Sequence, residues 1–330
     1  MSALDRTKIR KVLVISLTNI GDVILTFPVM DILRRDFPEA SLSVVVGPKG
    51  AALFKGNRSV ARVHVFDKHK MGKEVFAWIG ELRRERFDLI VDLRNTAIPF
   101  LAGCRYRTSP FFRRQDGEHM RRQHLRRLAT VHAFGPEPAA ARCLEYDEED
   151  RMHVDALWRE DIADGQKIIV VAPGAADERK RWPQERFAAL CDLAIVQYGV
   201  SVVFVGDAPD RATVAAVRQA MRQPAVDWSG RLSLTQLGYL FTRSLMAVVN
   251  DSGPMHLASY VNVPTLAIFG PTDPARYGPW GAQSRVLRKA DRCPACRKTD
   301  DSAHTCLEAV TCEDAMKAFS IRPEGVIFTS

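Results

Sequence analysis

Five short segments place chemistry-bearing side chains directly after apolar runs. Thr18-Asn19-Ile20-Gly21-Asp22 follows Val12 to Leu17. Pro173-Gly174, with Lys180 a little further on, follows Lys167 to Ala172. Gly206-Asp207 follows Val202 to Val205. Asn250-Asp251-Ser252-Gly253-Pro254-Met255-His256 follows Leu245 to Val249, and Gly270-Pro271-Thr272-Asp273 follows Pro264 to Phe269. If each run is a strand of an open α/β sheet, all five segments lie at the edge where such sheets bind ligands. Asp22 is a candidate general base, though a lone Asp at a helix start is more often a cap. Lys180 is a point charge suited to a diphosphate, or an ordinary loop lysine. In the fourth segment Pro254 marks a first helical turn. The backbone N–H groups of Ser252 and Gly253 and the helix dipole favour an anion there. The plain alternative is a strand-to-helix connection that Asp251 or Ser252 merely caps.

Other chemistries are excluded or weaker. No G-x-G-x-x-G follows the first apolar run and no Walker A sequence occurs, which argues against a nicotinamide dehydrogenase or a P-loop NTPase. Cys293-x2-Cys296 with His304 and Cys306 has a spacing compatible with zinc, set against the reading of free thiols packing a late loop. Cys104, Cys143 and Cys191 read as core or helix residues. Arg105, Arg107, Arg113, Arg114, Arg121, Arg122, Arg126 and Arg127 are offset only by Asp116 and Glu118. They form either a solvated face or a patch for an anionic partner.

The elements that must carry these groups alternate. Strands are predicted at 12–17, 41–46, 60–66 and 89–93, with a helix running on from Asp22 through Val23, Phe27, Met30 and Leu33, a short helix from Ala51 and one over 72–84. An amphipathic helix is predicted over 118–134, its stripe made by Leu125, Leu128, Ala129 and His132. A polar helix around 154–164 leads to a second series, with strands at 167–172, 202–205, 245–249 and 264–269 and helices at 184–198, 210–221 and 234–241. Strands apolar on both faces, alternating with helices, mean doubly wound parallel α/β. The chain is divided into residues 1–155 and 156–330.

The 330 residues, 46% hydrophobic and 26% charged, are those of a globular protein with room for two domains. No apolar run approaches the ~20 residues of a membrane span. The basic N-terminus is followed by too short an apolar run for a signal peptide, so a cytoplasmic location is expected. The net charge of +8 suits phosphorylated ligands, anionic membrane or nucleic acid without choosing among them. Nucleic acid is disfavoured because aromatics do not interleave the basic cluster in any recognised motif. The odd count of seven cysteines, four of them late, argues against a disulfide framework.

Taken together the segments resemble glycosyltransferase family 9, the heptosyltransferases of lipopolysaccharide core assembly. The likeness is carried by Ile15 to Asp22 with Pro28, by Phe87 to Leu93, and by Pro173-Gly174 with Lys180-Arg181-Trp182-Pro183. Asn250 to Leu257, Phe269 to Pro274 and Cys306-Leu307 complete it. The resemblance implies the glycosyltransferase-B fold, two Rossmann-like domains facing a cleft, the N-terminal one for acceptor and the C-terminal one for donor. It implies inverting, metal-independent transfer from a nucleotide-sugar, ADP-heptose in the best-known members, to an anionic lipid-linked saccharide. No cofactor is implied, and a monomer in peripheral contact with the inner face of the cytoplasmic membrane is expected. By matching positions Asp22 is the base, Lys180, Ser252 and Gly253 hold the donor phosphates, and Asp251 and His256 orient sugar or phosphate. Gly21 and Gly174 are the turn glycines. Arg105, Arg107, Arg121 and Arg122 would meet acceptor phosphates or the membrane surface. Ala175 and Ala176 stand where several family members place Ser or Thr, and Asp177 and Glu178 add negative charge nearby.

Overall fold

A computed structural model describes residues 4–67, 73–113, 115–138, 143–289, 293, 305–322 and 325–329. The chain divides into two compact units, Met1–Asp147 and Glu148–Ser330. The 155/156 division expected from sequence falls within a helix, Glu148–Asp161, that opens the second unit.

In the first unit Val12, Leu13, Val14 and Ile15 are all buried, so this strand needs neighbours on both edges and cover on both faces. The strands are β1 (Lys11–Ile15), β2 (Ser41–Val46), β3 (Arg62–Val65), β4 (Leu89–Asp92) and β5 (Tyr106–Arg107). All pair in parallel, in the order β3-β2-β1-β4-β5. The helices are α1 (Ile20–Ile24), α2 (Phe27–Asp36), α3 (Lys73–Glu85), α4 (Ile98–Leu101) and α5 (Met120–Ala129). The single helix expected from Asp22 onward is therefore two. The break lies at Thr26, whose buried hydroxyl bonds the Val23 carbonyl at 2.6 Å and the Ser16 hydroxyl at 2.7 Å. Pro28, lacking an N–H, stands in the first turn of α2. Helix α5 is shorter than the 118–134 expected. Ala129 at its end is exposed, while His132 beyond it is buried with Nε2 2.7 Å from Asp36 Oδ2.

The second unit repeats the plan. Its strands are β6 (Ile168–Ala172), β7 (Ser201–Phe204), β8 (Val226–Asp227), β9 (Met246–Asn250), β10 (Thr265–Ile268) and β11 (Ser284–Leu287). They are parallel in the order β11-β10-β9-β6-β7-β8. The helices are α6 (Glu148–Asp161), α7 (Gln184–Tyr198), α8 (Arg211–Ala220), α9 (Leu234–Thr242), α10 (Gly253–Tyr260), α11 (Pro274–Tyr277), α12 (Cys306–Ala309) and α13 (Cys312–Lys317). Helix α7 spans the predicted residues and stops at Gly199, whose φ of 62° is the left-handed conformation that ends a helix most readily in glycine. An antiparallel hairpin of β12 (Phe319–Arg322) and β13 (Gly325–Phe328) follows, and Phe319 packs into the same core as Phe187 and Leu190 of α7. Among the described residues no helix is long and apolar enough to cross a membrane.

In both sheets the chain starts at a central strand, moves outward to one side, then returns to the other. The direction reverses between β1 and β4 in the first unit and between β6 and β9 in the second. Loops leaving the two central strands diverge at such a point and leave a crevice.

His64 and His132 are buried in the first unit. Burial holds both below the ordinary 6.5, although Glu85 and Asp36 pull the other way. The unfolded chain thus takes up protons that the fold refuses. Their contribution to stability is complete above 6.5 and is lost as pH falls below it. The urea midpoint should therefore drop between pH about 7.5 and about 5.5, and His132→Gln should flatten part of that slope. A wild-type midpoint that stays constant across this range contradicts the assignment.

Candidate functional site

The crevice of the second unit is built on Asn250, the last residue of β9. Its side chain is fully buried and spends both polar ends on backbone. Nδ2 donates to the Pro173 carbonyl at 2.8 Å, and Oδ1 accepts from the Trp182 N–H at 3.2 Å. One amide thus fixes the Pro173-Gly174 turn after β6 and the start of the segment leading to α7. Trp182 is buried, donates Nε1–H to the Val310 carbonyl at 2.9 Å and packs edge-on to Phe187. It is a packing residue, and it holds Lys180 two positions before it.

Lys180 and Asp251 come together. Nζ lies 2.7 Å from Asp251 Oδ2, with the carboxylate buried and the ammonium partly exposed. Asp251 therefore does not cap the following helix. The N-cap of α10 is Ser252, and its hydroxyl bonds the Asn250 carbonyl at 3.3 Å without capping any helix N–H. Gly253 and Pro254 form the first turn. The plain reading of this segment as capping by Asp or Ser is thus replaced by an ion pair and a side-chain-free helix start. A cation held by the residue two positions before a helix start, and the helix N-terminus itself, are the features that attract a phosphate. His256, one turn into α10, is buried and stacked on Trp280 with ring centroids 6.1 Å apart. The negative charges near the turn are matched locally: Asp177 pairs with Arg179 at 2.9 Å and Glu178 with Arg181 at 3.6 Å. Arg181 also bonds the carbonyl of buried Ala175 at 2.8 Å.

Gly174 makes room for the Asp210 carboxylate. A Cβ there would stand 2.0 Å from Asp210 Oδ1, and one at Gly206 would stand 2.6 Å from Asp210 Cβ. Asp210 lies between the turns that follow β6 and β7 and accepts the Asp207 N–H at 3.1 Å. Burial raises its carboxyl above the ordinary value, and the neighbouring Asp207 charge adds to the rise. Neither Asn250 nor Asp210 had been assigned a role from the sequence. The only sequence signal was their position beside strand-end glycines and turns.

In the first unit Gly21 and Asp22 lie in the first turn of α1, and Asn19 Nδ2 donates to Asp22 Oδ2 at 3.1 Å. Asp22 is partly exposed at the C-terminal edge of the sheet. Across the reversal point, Arg94 follows β4 and its Nη2 bonds the Thr18 hydroxyl at 2.9 Å, while its guanidinium lies 5.5 Å over the Phe66 ring. Asp92, fully buried, accepts the N–H groups of Arg94 at 2.8 Å and Thr96 at 2.6 Å. The loop that carries Asp22 is therefore tied to the loop after β4. Arg94 was not singled out from sequence.

The arginine cluster separates into two kinds. Arg127 is buried and bonds the Asp92 carbonyl, the Asn95 side chain and the Ser109 carbonyl, so it is structural and drops out of the basic patch. Arg121 pairs with Glu137 at 2.5 Å, and Arg107 bonds the Cys104 carbonyl and lies over Phe100. Arg105 and Arg122 are exposed. Of the zinc alternative, Cys293 and Cys306 are buried against each other, whereas Cys296 and His304 lie outside the described residues. Among the described residues no group of three or more His, Cys, Asp or Glu is placed to hold a metal. Cys104, Cys143 and Cys191 are buried as expected, and burial pushes the Cys104 thiol up to about 11.

Residues 115–306 match the model of glycosyltransferase family 9 (heptosyltransferase). Lipopolysaccharide heptosyltransferase 3 of Escherichia coli is 26% identical over 285 residues, 79% of this chain and 83% of that protein. A glycosyl transferase family 9 structure from Veillonella parvula DSM 2008 superposes with a TM-score of 0.78 at 24% identity, over 94% of this chain and 95% of that one. The E. coli ADP-heptose lps heptosyltransferase II structure gives 0.70 at 22% identity, over 93% and 96%.

Replacing Asn250 by Leu keeps the volume and removes both hydrogen bonds. It leaves a buried N–H and a buried C=O without partners, at a cost of about 2–5 kcal/mol in unfolding free energy. Urea denaturation followed by tryptophan fluorescence measures this; a loss below about 1 kcal/mol would show that the clamp is dispensable.

Proposed function

The chain belongs to glycosyltransferase family 9, its two parallel-sheet units are of the glycosyltransferase-B type, and on that footing we propose that it moves a heptose from ADP-heptose to a lipopolysaccharide core acceptor with inversion. The observation that carries the donor half of this reading is the Lys180–Asp251 ion pair beside the uncapped start of α10, at the reversal point of the second sheet. A nucleotide diphosphate meets there a cation that is held in place and backbone N–H groups at the positive end of a helix.

In the proposed reaction Asp22 takes the proton from an acceptor hydroxyl as that oxygen attacks the anomeric carbon. The bond from that carbon to the diphosphate oxygen breaks on the opposite face, which inverts the configuration. Charge accumulates on the departing diphosphate. Lys180, the N–H groups of Ser252 and Gly253 and the α10 dipole oppose it, so these groups supply the stabilisation without requiring a metal. Asp251 holds Lys180 where the phosphates arrive, and the His256 ring, fixed against Trp280, borders the sugar. ADP-heptose is favoured as donor by the name of the E. coli heptosyltransferase II to which this chain is structurally similar. A relative of different donor specificity is the second reading, favoured by Ala175 and Ala176, which offer no hydroxyl to a phosphate. The enzyme is proposed to work as a monomer at the inner face of the cytoplasmic membrane, where a lipid-linked acceptor is reached.

Asp22→Asn should lower transfer by at least about a hundredfold while calorimetry shows ADP binding unchanged; full turnover would remove Asp22 as base. Lys180→Ala should raise the donor KM or lower kcat, together by on the order of a hundredfold in kcat/KM, and unchanged kinetics would take it out of the phosphate site. The anomeric configuration of the product, read by NMR, should be opposite to that of the donor.

A further inference from the structure

Arg94 is a fixed, partly buried cation whose charge the first unit does not match. Among the described residues of that unit, every other arginine that is at least partly buried meets a carboxylate or a backbone oxygen. Arg34 meets Glu145, Arg35 meets Asp36, Arg121 meets Glu137 and Arg126 meets Glu118, while Arg107 and Arg127 bond carbonyls. The Arg94 guanidinium meets only the neutral Thr18 hydroxyl, through Nη2 at 2.9 Å. The charge of Asp92 acts on it through space, but the Asp92 oxygens are taken by the N–H groups of Arg94 and Thr96 and by the Thr96 hydroxyl. Burial lowers the Arg94 pKa from its ordinary value, and Asp92 only partly opposes that effect. The surroundings hold the group still. Its floor is the Phe66 ring, 5.5 Å below, which is tilted against Trp78 at 4.7 Å and packs on the core around Leu13 and Ile15. Thr18 is pressed from the other side by the turn after β2, where a Cβ on Gly47 would stand 2.4 Å from Thr18 Cγ2.

We propose that Arg94 and the Thr18 hydroxyl form a subsite for an oxyanion, a carboxylate or a phosphate ester, carried by the sugar acceptor. A guanidinium has five N–H donors, and Thr18 takes one. Those that remain can grip two oxygens of one anion at once. Thr18 accepts from Arg94, so its own hydrogen is left to donate, and it has no acceptor among the described residues. A brace alone would not call for this arrangement. An amide side chain could bond Thr18 equally well without the cost of taking a charge partly out of water. A retained cation with spare donors is explained when its partner arrives from outside the protein.

The position of the subsite gives it a use. Arg94 follows β4 and Thr18 follows β1, the two parallel strands between which the order of the first sheet reverses. Asp22 stands on the same loop as Thr18, four residues on, so even a fully extended chain keeps the two Cα atoms within about 14 Å. An acceptor hydroxyl at Asp22 then has an anionic group, on the same sugar or the next, within reach of Arg94. A neutral glycan would leave the cation unmatched and bind more weakly, so the pair selects an acidic acceptor. This use rests on the glycosyl-transfer reading; the binding of an oxyanion does not.

The probe is a delipidated lipopolysaccharide core oligosaccharide lacking the terminal heptose, in three forms: intact, dephosphorylated, and with its carboxylates reduced to alcohols. Calorimetry follows its binding to the full chain with no donor present. Arg94→Gln, which can still bond Thr18, should weaken binding of the intact form by at least about tenfold and leave ADP binding unchanged. Circular dichroism melting confirms that the variant is folded. One neutralised form should bind the wild type about as weakly as the intact form binds Arg94→Gln. On that form wild type and variant should be equal, and its identity tells phosphate from carboxylate. Loss of the same factor by the variant on all three forms reveals a brace only and overturns the proposal. So does undiminished binding of the intact form by the folded variant, or failure of the wild type to bind any form. A wild type that binds in the expected pattern yet transfers no sugar from any nucleotide-sugar would sink the enzymatic reading alone.

Discussion

A single buried amide sets the geometry on which the crevice of the second unit depends. Asn250 ends β9, and its side chain reaches across the reversal point to the Pro173 carbonyl after β6 and to the Trp182 N–H before α7. Strands β6 and β9 are adjacent and parallel, so their ends are already side by side; what the amide adds is the path of the chain beyond them. Each of the two backbone groups would carry an unpaired-burial penalty without it. Because Trp182 is fixed in this way and Arg181 is tied to Ala175, Lys180 emerges where the Asp251 carboxylate can hold it. The ion pair is thus a consequence of the amide clamp. Asp251 is buried, and its charge is tolerable there because it is paired.

The first unit solves the same problem with a charged side chain. At the β1/β4 reversal, Arg94 reaches from one loop to Thr18 of the other, and buried Asp92 holds the backbone of Arg94 and Thr96. Arg127 comes up from α5 to the Asp92 carbonyl and to Asn95, which sits at a φ of 68°. A non-glycine residue in that left-handed region is uncommon, and the Arg127 bond to its side chain helps keep it there. Both units therefore place their candidate chemistry on loops that diverge from a pair of central strands and are braced across the gap by a side chain with a long-range partner.

Much of this frame was legible in the sequence because it depends on local pattern. Runs such as Val12 to Ile15 and Ile168 to Ala172, apolar at every position, announce buried parallel strands. The helix 184–198 announces itself by Pro183 before it and Gly199 after it. The short strands β8 and β11 and the closing hairpin were not predicted, since two to four residues carry too little pattern to separate a strand from a loop. The braces were illegible for a different reason. Asn250 and Pro173 are 77 residues apart, and Asp92 and Arg127 are 35 apart. No local rule says which partner a polar side chain will find. The same limit explains two revised readings. Asp251 looked like a helix cap because its neighbours are capping residues, and Arg127 looked like surface charge because its neighbours are arginines. In both cases burial and a distant partner decided the role.

These features converge on one reaction class. A parallel sheet with a held lysine beside a helix start suits a departing diphosphate, and a second parallel sheet with a carboxylate at its open edge suits activation of a hydroxyl. Membership in glycosyltransferase family 9 gives both halves a common purpose. The most direct measurement is mass spectrometry of a lipopolysaccharide core acceptor, lacking the terminal heptose, after incubation with the enzyme and each of a set of nucleotide-sugars. A product heavier by one heptose is expected with ADP-heptose, and little or none with hexose donors. An acceptor left unmodified by ADP-heptose but extended by another nucleotide-sugar would contradict it.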